Sequence, residues 1–292
     1  MKSYDIVMIG HVSKDIMVYG EKEERLLGGA VVYSSAAAAR SGAKVLVITK
    51  VAEQDRPFLE VMRHPNVEIL ALPSPASTSI RNEYFSEDRE RRKVTLLSQA
   101  DPFTLEEIPA FQTSVLHLAG LFYGEIPVSL IPALACRYRV AVDAQGLLRR
   151  NTGGTLAFQD LENKEEILPH VTYLKTDAAE AEVLTGEKDR EKAARILAQY
   201  GPEEVMVTHN TEVIVLKQGT VYRAPFTPRN LTGRTGRGDT CFASYLYWRL
   251  HHTIQEAVSY AAALTSLKME KPGIFTGTIE DVTARLQDPA YR

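Results

Sequence analysis

The segment LTGRTGRGDTCF, residues 231–242, combines three glycines and two arginines with a single carboxylate, Asp239. Large apolar side chains then recur at spacings of three and four, at Phe242, Tyr245, Leu246 and Leu250. This spacing predicts a helix that begins close to Asp239. Free backbone amides and the positive end of the dipole attract anions at a helix start, and glycines let a phosphate approach the backbone closely. The segment therefore predicts an anion site next to one acid.

Short, nearly continuously apolar segments recur on both sides of this motif, as in strands that are buried on both faces. They are residues 4–10, 44–49, 114–120, 139–144, 170–175 and 203–209. Helical patterns lie between them at residues 30–42, 127–138, 177–186 and 190–201. The alternation predicts an α/β fold with a mainly parallel sheet and helices on both faces. Residues 211–225 predict a hairpin that turns at Gln218 and Gly219.

Residues 11–27 and 75–100 interrupt this alternation with threonines, charges and partial period-2 patterning. We predict that they pair as a small antiparallel β lid on the main sheet, with a decorative insertion as the alternative. No repeat, low-complexity tract or proline-rich linker marks a domain boundary. The prediction is thus one domain over residues 1–292 that carries a lid.

Composition restricts the class of protein. A chain of 292 residues with 45% hydrophobic residues can bury a substantial core. Its 34 basic and 37 acidic residues give a net charge of −3, which does not favour a nucleic-acid or membrane partner. The two cysteines lack metal-ligand spacing, and no apolar run suits a signal peptide or a spanning helix. We therefore expect a cytoplasmic protein without a zinc site.

The local sequence leaves the role of Asp239 open. Acids are common at helix starts, where they cap backbone amides, and a catalytic acid is the alternative. The triplet RGD, residues 237–239, also matches an adhesion motif, which would need an exposed loop of a secreted protein. The segment has neither the Walker order G-x-x-x-x-G-K-[ST] nor the dinucleotide-binding order G-x-G-x-x-G.

A family resemblance narrows these alternatives. TGRGDT, residues 235–240, resembles the C-terminal signature of the ribokinase-like (PfkB) carbohydrate kinases. The resemblance implies a three-layer α/β/α kinase that uses ATP and Mg²⁺ to phosphorylate a hydroxyl of a small polyhydroxylated substrate. It implies that Asp239 is the general base and that amides of Gly236, Arg237 and Gly238 form the anion hole. An ordinary aspartate is ionised at neutral pH and can accept the proton, while fixed amides stabilise charge on a phosphoryl group.

Other segments resemble the same family in the same order, beginning with those on the acceptor side. YDIVMIGHVSKD, residues 4–15, is similar to its first strand and the substrate-binding acid that follows. LGGAVVYSSAAAARSGAKVLVITKV, residues 27–51, is similar to its N-terminal signature, and VAVDAQGLLRR, residues 140–150, to a strand end over the substrate pocket. The implied acceptor-binding residues are Asp15, Gly28, Gly29, Tyr33, Gln145 and Arg149, with Asp143 as a weaker candidate. Tyr33 stands where many sugar kinases have Asn.

The donor side is implied by two further segments. LKTDAAEAEVLTG, residues 174–186, resembles the N-x-x-E segment of the family, with Asp177 in the Asn position. Glu180 then matches the acid that organises magnesium through water. VMVTH, residues 205–209, resembles the strand whose final threonine, here Thr208, approaches the phosphates of ATP.

The chain departs from the family pattern within the glycine-rich turn. Gly233 and Arg234 replace an Asp-Thr pair whose Asp helps to form a monovalent-cation site, which argues against potassium activation. Arg237 replaces a small residue, usually Ala, so its side chain and that of Arg234 either assist phosphate binding or contact surface acids. Nucleoside and inositol kinases, and a catalytically degenerate binding protein, remain alternatives. Because members of the family often pair through their lids, a homodimer is also possible.

Overall fold

In the computed structural model of the chain, residues 2–85 and 92–291 are described. The strands are β1 (Ser3–Ile9), β2 (Ser13–Tyr19), β3 (Lys22–Gly28), β4 (Val45–Val51), β5 (Val67–Pro73), β6 (Thr78–Tyr84), β7 (Arg92–Ser98), β8 (Gln112–Leu118), β9 (Val140–Asp143), β10 (Arg149–Thr152), β11 (Thr155–Phe158), β12 (Tyr173–Asp177), β13 (Glu204–Thr208), β14 (Glu212–Lys217) and β15 (Thr220–Pro225). The helices are α1 (Ala30–Arg40), α2 (Leu130–Ala135), α3 (Gln145–Leu148), α4 (Lys164–Ile167), α5 (Ala178–Thr185), α6 (Arg190–Gln199), α7 (Arg237–Trp248), α8 (Ile254–Met269) and α9 (Ile279–Arg285). Short 3₁₀ helices cover Glu53–Met62, Leu168–His170 and Pro289–Tyr291.

The main sheet has nine strands in the order β15-β14-β13-β12-β9-β8-β1-β4-β5. All six apolar segments identified in the sequence form strands of this sheet, and the strands from β13 to β5 are parallel. The predicted hairpin is the antiparallel pair β14 and β15 at one edge. Its two-residue turn has positive φ at Gln218 and Gly219, 47° and 81°, as a tight hairpin turn of this kind requires. The mainly parallel α/β fold is confirmed.

Helices cover both faces of the main sheet and bury its apolar side chains. On one face α1, α7 and α8 pack together over Met8, Val47 and Met206. On the other face α2, α5 and α6 cover Val7, Ile9 and Leu174. Each strand needs apolar residues at successive positions because both of its faces are covered. The molecule therefore has the three-layer α/β/α arrangement that the resemblance implied.

A second sheet of six strands, in the order β10-β11-β7-β6-β2-β3, includes the two segments predicted as a lid. It differs from the prediction in two ways. The pair β2 and β6 is parallel, because β6 returns from the main sheet in the same direction as β2. The hairpin of β10 and β11, residues 149–158, also joins the sheet through β7. Residues 86–91 of the predicted lid lie outside the described residues.

No helix in residues 2–85 or 92–291 is long and apolar enough to cross a membrane.

Candidate active site

A polar cavity of about 290 Å³ lies between the second sheet and the carboxyl ends of the parallel strands. In open α/β sheets this end of the strands is where ligands bind. The cavity brings together almost every candidate residue from the sequence: Asp15, Gly29, Tyr33, Gln145, Arg149, Asp177, Glu180, Thr208, Arg234, Gly236, Arg237, Gly238 and Asp239. Gly28 lies just behind this wall, and a Cβ atom there would be 2.3 Å from a carboxylate oxygen of Asp15.

The glycine-rich turn forms the start of α7, as its sequence predicts. Gly236 is the N-cap of α7 and has φ of 76°. Residues other than glycine adopt this backbone conformation only at a cost in free energy. A Cβ atom at Gly236 would also lie 2.2 Å from the ring of Tyr33. Two independent constraints therefore require glycine here, and Tyr33, which is 4% exposed, supports the turn from below. The RGD triplet forms the first turn of α7 in the cavity wall.

Asp239 lies in the first turn of α7, with its carboxylate at the cavity. Burial raises the pKa of Asp239 to about 6, repulsion from Asp143 adds to this, and attraction from Lys175 and Lys268 opposes it. Asp239 thus remains mainly ionised at pH 7, as the sequence leads one to expect, but its pKa is closer to neutral pH than that of an ordinary aspartate. A base with a pKa just below the working pH is suited to proton transfer.

A buried lysine that the sequence analysis missed connects three elements beneath the turn. Lys175, near the end of β12, donates to both carboxylate oxygens of Asp143 at 3.1 and 3.0 Å. Its Nζ is also 3.7 Å from the carboxylate of Glu180. Burial alone would lower the pKa of Lys175, but Asp143 and Glu180 outweigh it and raise this pKa above its ordinary value. A Cβ atom at Gly238 would lie 3.0 Å from the ammonium, so the cation sits directly behind the proposed anion hole.

Asp177 and Glu180 are fixed by reciprocal capping at the start of α5. Asp177 accepts from the amide of Glu180 at 2.8 Å, and Glu180 accepts from the amide of Asp177 at 2.7 Å. Burial raises the pKa of Glu180 to about 8, although the nearby Lys175 opposes this shift. No group of three metal-ligating side chains occurs in residues 2–85 and 92–291. A magnesium ion held mainly by donor phosphates and water, as Mg²⁺ commonly is, would find further oxygen ligands in Asp177 and Glu180, and its charge would favour the ionised form of Glu180.

Another part of the cavity wall, which holds the residues that the resemblance assigns to the acceptor, is formed by β2 and by the start of α1. Asp15, on β2, accepts from the hydroxyl of Ser13 at 2.6 Å and is 9% exposed. Gly29 has φ of 105° and begins α1, and a Cβ atom there would lie 2.6 Å from the carbonyl oxygen of His11. Gln145 and Arg149 also line the cavity. Carboxylate, amide and guanidinium groups in this arrangement can bind several hydroxyl groups.

The two arginines of the turn line the cavity and approach the loop after β13. Arg237 donates to Oδ1 of Asn210 at 2.7 Å, and Arg234 donates to the same oxygen at 3.4 Å. Asn210 belongs to the loop after β13, two residues beyond the buried Thr208. Both guanidiniums therefore face the side of the cavity at which the resemblance places phosphates.

The second sheet contributes further cavity residues that the sequence analysis did not identify. Ile80, Asn82 and Tyr84 alternate along β6 and line the cavity. Their period-2 spacing is visible in the sequence and could have indicated one shared face. A lysine that ends the apolar run of residues 170–175 could likewise have suggested a buried ion pair at Lys175.

A doubly covered parallel sheet with an acid and a glycine turn at a helix N-terminus is suited to a phosphotransferase that acts on hydroxyl groups. More particularly, the chain belongs to the pfkB family of carbohydrate kinases, whose family model matches residues 3–281. The family membership, the fold and the phosphotransferase class inferred from the motifs are confirmed.

Several relatives show how this chain compares with characterised members. A pyrophosphate-dependent kinase of the ribokinase family, solved with a pyrophosphate analogue and myo-inositol, is 38% identical with a TM-score of 0.87, and the match covers 96% of this chain and 99% of that one. A pyrophosphate-dependent myo-inositol-1 kinase converted into a myo-inositol-3 kinase is also 38% identical, covering 98% and 100% with a TM-score of 0.87. A cytidine kinase of Thermococcus kodakarensis is 26% identical over 253 residues, which are 83% of this chain and 87% of the relative.

Proposed function

We propose that this chain transfers a phosphoryl group from inorganic pyrophosphate to a hydroxyl of an inositol-like cyclic polyol. The observation that carries the proposal is that Asp239, the glycine turn and two arginines line the same cavity. Polyol kinase activity follows from Asp239 and the acceptor end, whereas the choice of donor rests on Arg234 and Arg237.

The acceptor end favours a compact ligand with several hydroxyl groups. Asp15, Asn82, Gln145 and Arg149 provide acceptors and donors of hydrogen bonds around one small space. Such groups distinguish a polyol from less hydroxylated alcohols because an unmatched buried polar group is costly. The two inositol-kinase relatives support this class of acceptor. The cytidine kinase makes a nucleoside the alternative acceptor.

The donor end favours a small, highly charged anion. Guanidinium groups bind phosphate oxygens with two parallel hydrogen bonds, and Arg234 and Arg237 offer two such groups beside the helix N-terminus. Pyrophosphate can accept hydrogen bonds from both arginines, and it has no base or ribose that would need a pocket. The pyrophosphate-dependent relatives support this donor. ATP, the donor expected from the sequence, is the second candidate because Asp177 and Thr208 lie at the same end of the cavity.

The proposed reaction forms one P–O bond and breaks another. Asp15 and the backbone at Gly29 orient the acceptor, and its hydroxyl gives a proton to the carboxylate of Asp239. The acceptor oxygen attacks the nearer phosphorus, the P–O–P bridge breaks, and inorganic phosphate leaves towards Arg234 and Arg237. Amides of residues 236–239 stabilise the charge on the transferred group. Mg²⁺, when bound near Glu180, would neutralise charge on the donor. The second sheet acts as a lid that excludes water.

A donor and acceptor matrix tests this proposal. Pyrophosphate and ATP, each with Mg²⁺, are combined with inositols, sugars and nucleosides, and phosphomonoester formation is measured by ³¹P NMR. We expect the highest kcat/KM with pyrophosphate and an inositol. Turnover with ATP but not with pyrophosphate would reject the proposed donor. No acceptor phosphorylation with either donor would favour the catalytically degenerate binding protein.

The arginines provide a test of donor binding. Arg237→Ala should raise the KM for pyrophosphate about 10- to 100-fold, the range expected for a lost charge-assisted hydrogen bond of about 1.5–3 kcal/mol. The KM for the acceptor should stay within about twofold. Arg63→Ala is the matched control, because the Arg63 side chain is 80% exposed and its ion pair with Glu60 lies elsewhere on the surface. An unchanged pyrophosphate KM in Arg237→Ala would remove this arginine from the donor site.

A further inference from the structure

Lys268, the second-last residue of α8, lies directly behind the turn that forms the proposed anion hole. Its ammonium donates to the carbonyl oxygen of Gly233 at 2.6 Å and to the carbonyl oxygen of Thr235. It also lies 5.1 Å from the centre of the Tyr33 ring. Lys268 is 2% exposed, so a buried cation is held by backbone carbonyls of the turn.

The turn is packed tightly against the carboxyl end of α8. The amide of Gly233 donates to the carbonyl of Met269 at 2.8 Å, and the hydroxyl of Thr232 donates to the carbonyl of Glu270 at 2.9 Å. A Cβ atom at Gly233 would lie 1.8 Å from the carbonyl oxygen of Lys271. Any larger residue at position 233 would therefore push the turn away from the helix end. The dipole of α8 also favours a positive charge at this end.

The charge on Lys268 is maintained by its surroundings. Burial lowers the pKa of Lys268 to about 8, and attraction from Asp239 opposes this shift. The ammonium therefore remains mainly protonated at neutral pH. Two carbonyl oxygens and an aromatic face surround it, and these are the groups that also attract an alkali cation.

The residues present do not fit a separate monovalent cation at this position. In the family pattern an Asp that helps to bind such a cation stands where this chain has Gly233. Here the carboxylate is missing from the sequence, and the carbonyls of Gly233 and Thr235 already accept from the ammonium. A metal cation placed at these carbonyls would lie against a positive charge.

We propose that the Lys268 ammonium is a built-in replacement for a monovalent cation, and that it holds the anion-hole turn in its productive conformation. Lys268 is thus a positioning residue that acts through the backbone of residues 233–236 and does not contact the transferred group. The inference rests on the proposed function, because it assigns a role to the turn that binds the phosphoryl group.

The first test measures the wild-type reaction in KCl, NaCl and choline chloride at equal ionic strength. We expect kcat and both KM values to agree within about twofold in the three salts. Activation by K⁺ of more than about fivefold over choline would overturn the proposal, because the site would then still need an added cation.

The second test uses thermal unfolding, which needs no turnover and no known substrate. Lys268→Ala leaves space beside the two carbonyls, so KCl should raise its Tm about 2–4 °C above the value in choline chloride. The wild type and the control Lys271→Ala should show no such difference, since Lys271 has an exposed side chain. A folded Lys268→Ala protein with equal Tm values in both salts would contradict the proposal.

Lys268→Met keeps the volume of the side chain and removes the charge. We expect its kcat to fall about 10- to 100-fold with an unchanged acceptor KM, and K⁺ should not restore it because methionine fills the space. In Lys268→Ala, K⁺ should restore part of the lost kcat. Wild-type turnover in Lys268→Met would overturn the proposal. This outcome can be measured even if Lys268→Ala does not fold. If no acceptor is phosphorylated under any condition, the proposed function fails while the thermal comparison still decides this inference.

Discussion

Asp239 owes its chemistry to the groups around it. The N-terminus of α7 and the ammoniums of Lys175 and Lys268 favour its charged form, whereas burial and the nearby Asp143 favour the neutral form. The balance raises its pKa to about 6, compared with about 3.9 for an ordinary aspartate. An isolated carboxylate would be a weaker base, and an unbalanced buried one would stay protonated at pH 7.

The pH dependence of the reaction follows from this balance. A general base works only when ionised, so kcat/KM for the acceptor should fall about tenfold per pH unit below pH 6 and level off above about pH 7. The measurement is kcat/KM at saturating donor between pH 5 and pH 8. The residual activity of Asp239→Asn should lack this acid limb. A wild-type profile that is flat over the whole range would exclude a base with this pKa.

At the scale of elements, β9, β12 and α5 are connected by one buried ammonium. Lys175 bridges Asp143 at the end of β9 and Glu180 in the first turn of α5. The same ammonium lies behind Gly238. Lys175 therefore supports the proposed anion hole and also holds β9, β12 and α5 together. Sheet geometry and site geometry therefore depend on the same contacts.

Removal of the Lys175 ammonium should lower the stability of the fold. Lys175→Met leaves the buried Asp143 and Glu180 without their cationic partner, which should lower the free energy of unfolding by about 3–5 kcal/mol. Urea denaturation measures this change. Lys2→Met is the control, because Lys2 forms an exposed ion pair with Glu68 and should change the midpoint little. Equal effects of the two substitutions would contradict a supporting role for Lys175.

The elements also show what the sequence could predict. Six of the seven parallel strands were recognised because burial on both faces requires continuous apolar runs, as in residues 44–49. The hairpin β10–β11 was missed because its short strands are polar and mostly exposed, so no periodic burial marks them. Strand β5 was missed because its half-buried edge position weakens the apolar pattern. Asp239 was identified through its motif, whereas Lys175 acquires Asp143 as a partner only when β9 and β12 pair in the sheet.

At the scale of the whole molecule, the cavity exists because a large parallel sheet and a second sheet face each other. The main sheet and α7 supply Asp177, Thr208 and Asp239 to the cavity, and the second sheet supplies Asp15 from β2 and Asn82 from β6. The single-domain organisation and a homodimer through the second sheet remain predictions. The packing against the main sheet is mainly apolar, and His117 is one of several polar residues buried in the described part of the chain.

His117, on β8, is fully buried against Phe242 of α7, with ring centres 5.1 Å apart. Neither ring nitrogen has a hydrogen-bond partner in the described part of the chain. Burial lowers the pKa of His117 to about 3, well below its usual 6.5. The unfolded chain thus takes up a proton here below about pH 6.5 that the folded chain does not, so this residue makes acid conditions destabilising.

His117→Leu removes that penalty without the loss of a hydrogen bond. Relative to the difference at pH 7, the variant should gain about 2 kcal/mol of stability over the wild type at pH 5, from 1.36 kcal/mol per pH unit. Denaturant unfolding of both proteins at the two pH values measures this, and the other titrating groups cancel in the comparison. An identical pH dependence of the two proteins would contradict a neutral, buried His117.

The proposed function depends above all on Asp239 as the base in phosphoryl transfer to a hydroxyl. Its most direct test is the rate of phosphomonoester formation by Asp239→Asn, followed by ³¹P NMR with pyrophosphate and the best acceptor, alongside calorimetric binding of Mg-pyrophosphate. We expect a rate about 10²- to 10⁴-fold below wild type, with donor affinity within about threefold. A folded Asp239→Asn protein that turns over at the wild-type rate would contradict this role of Asp239.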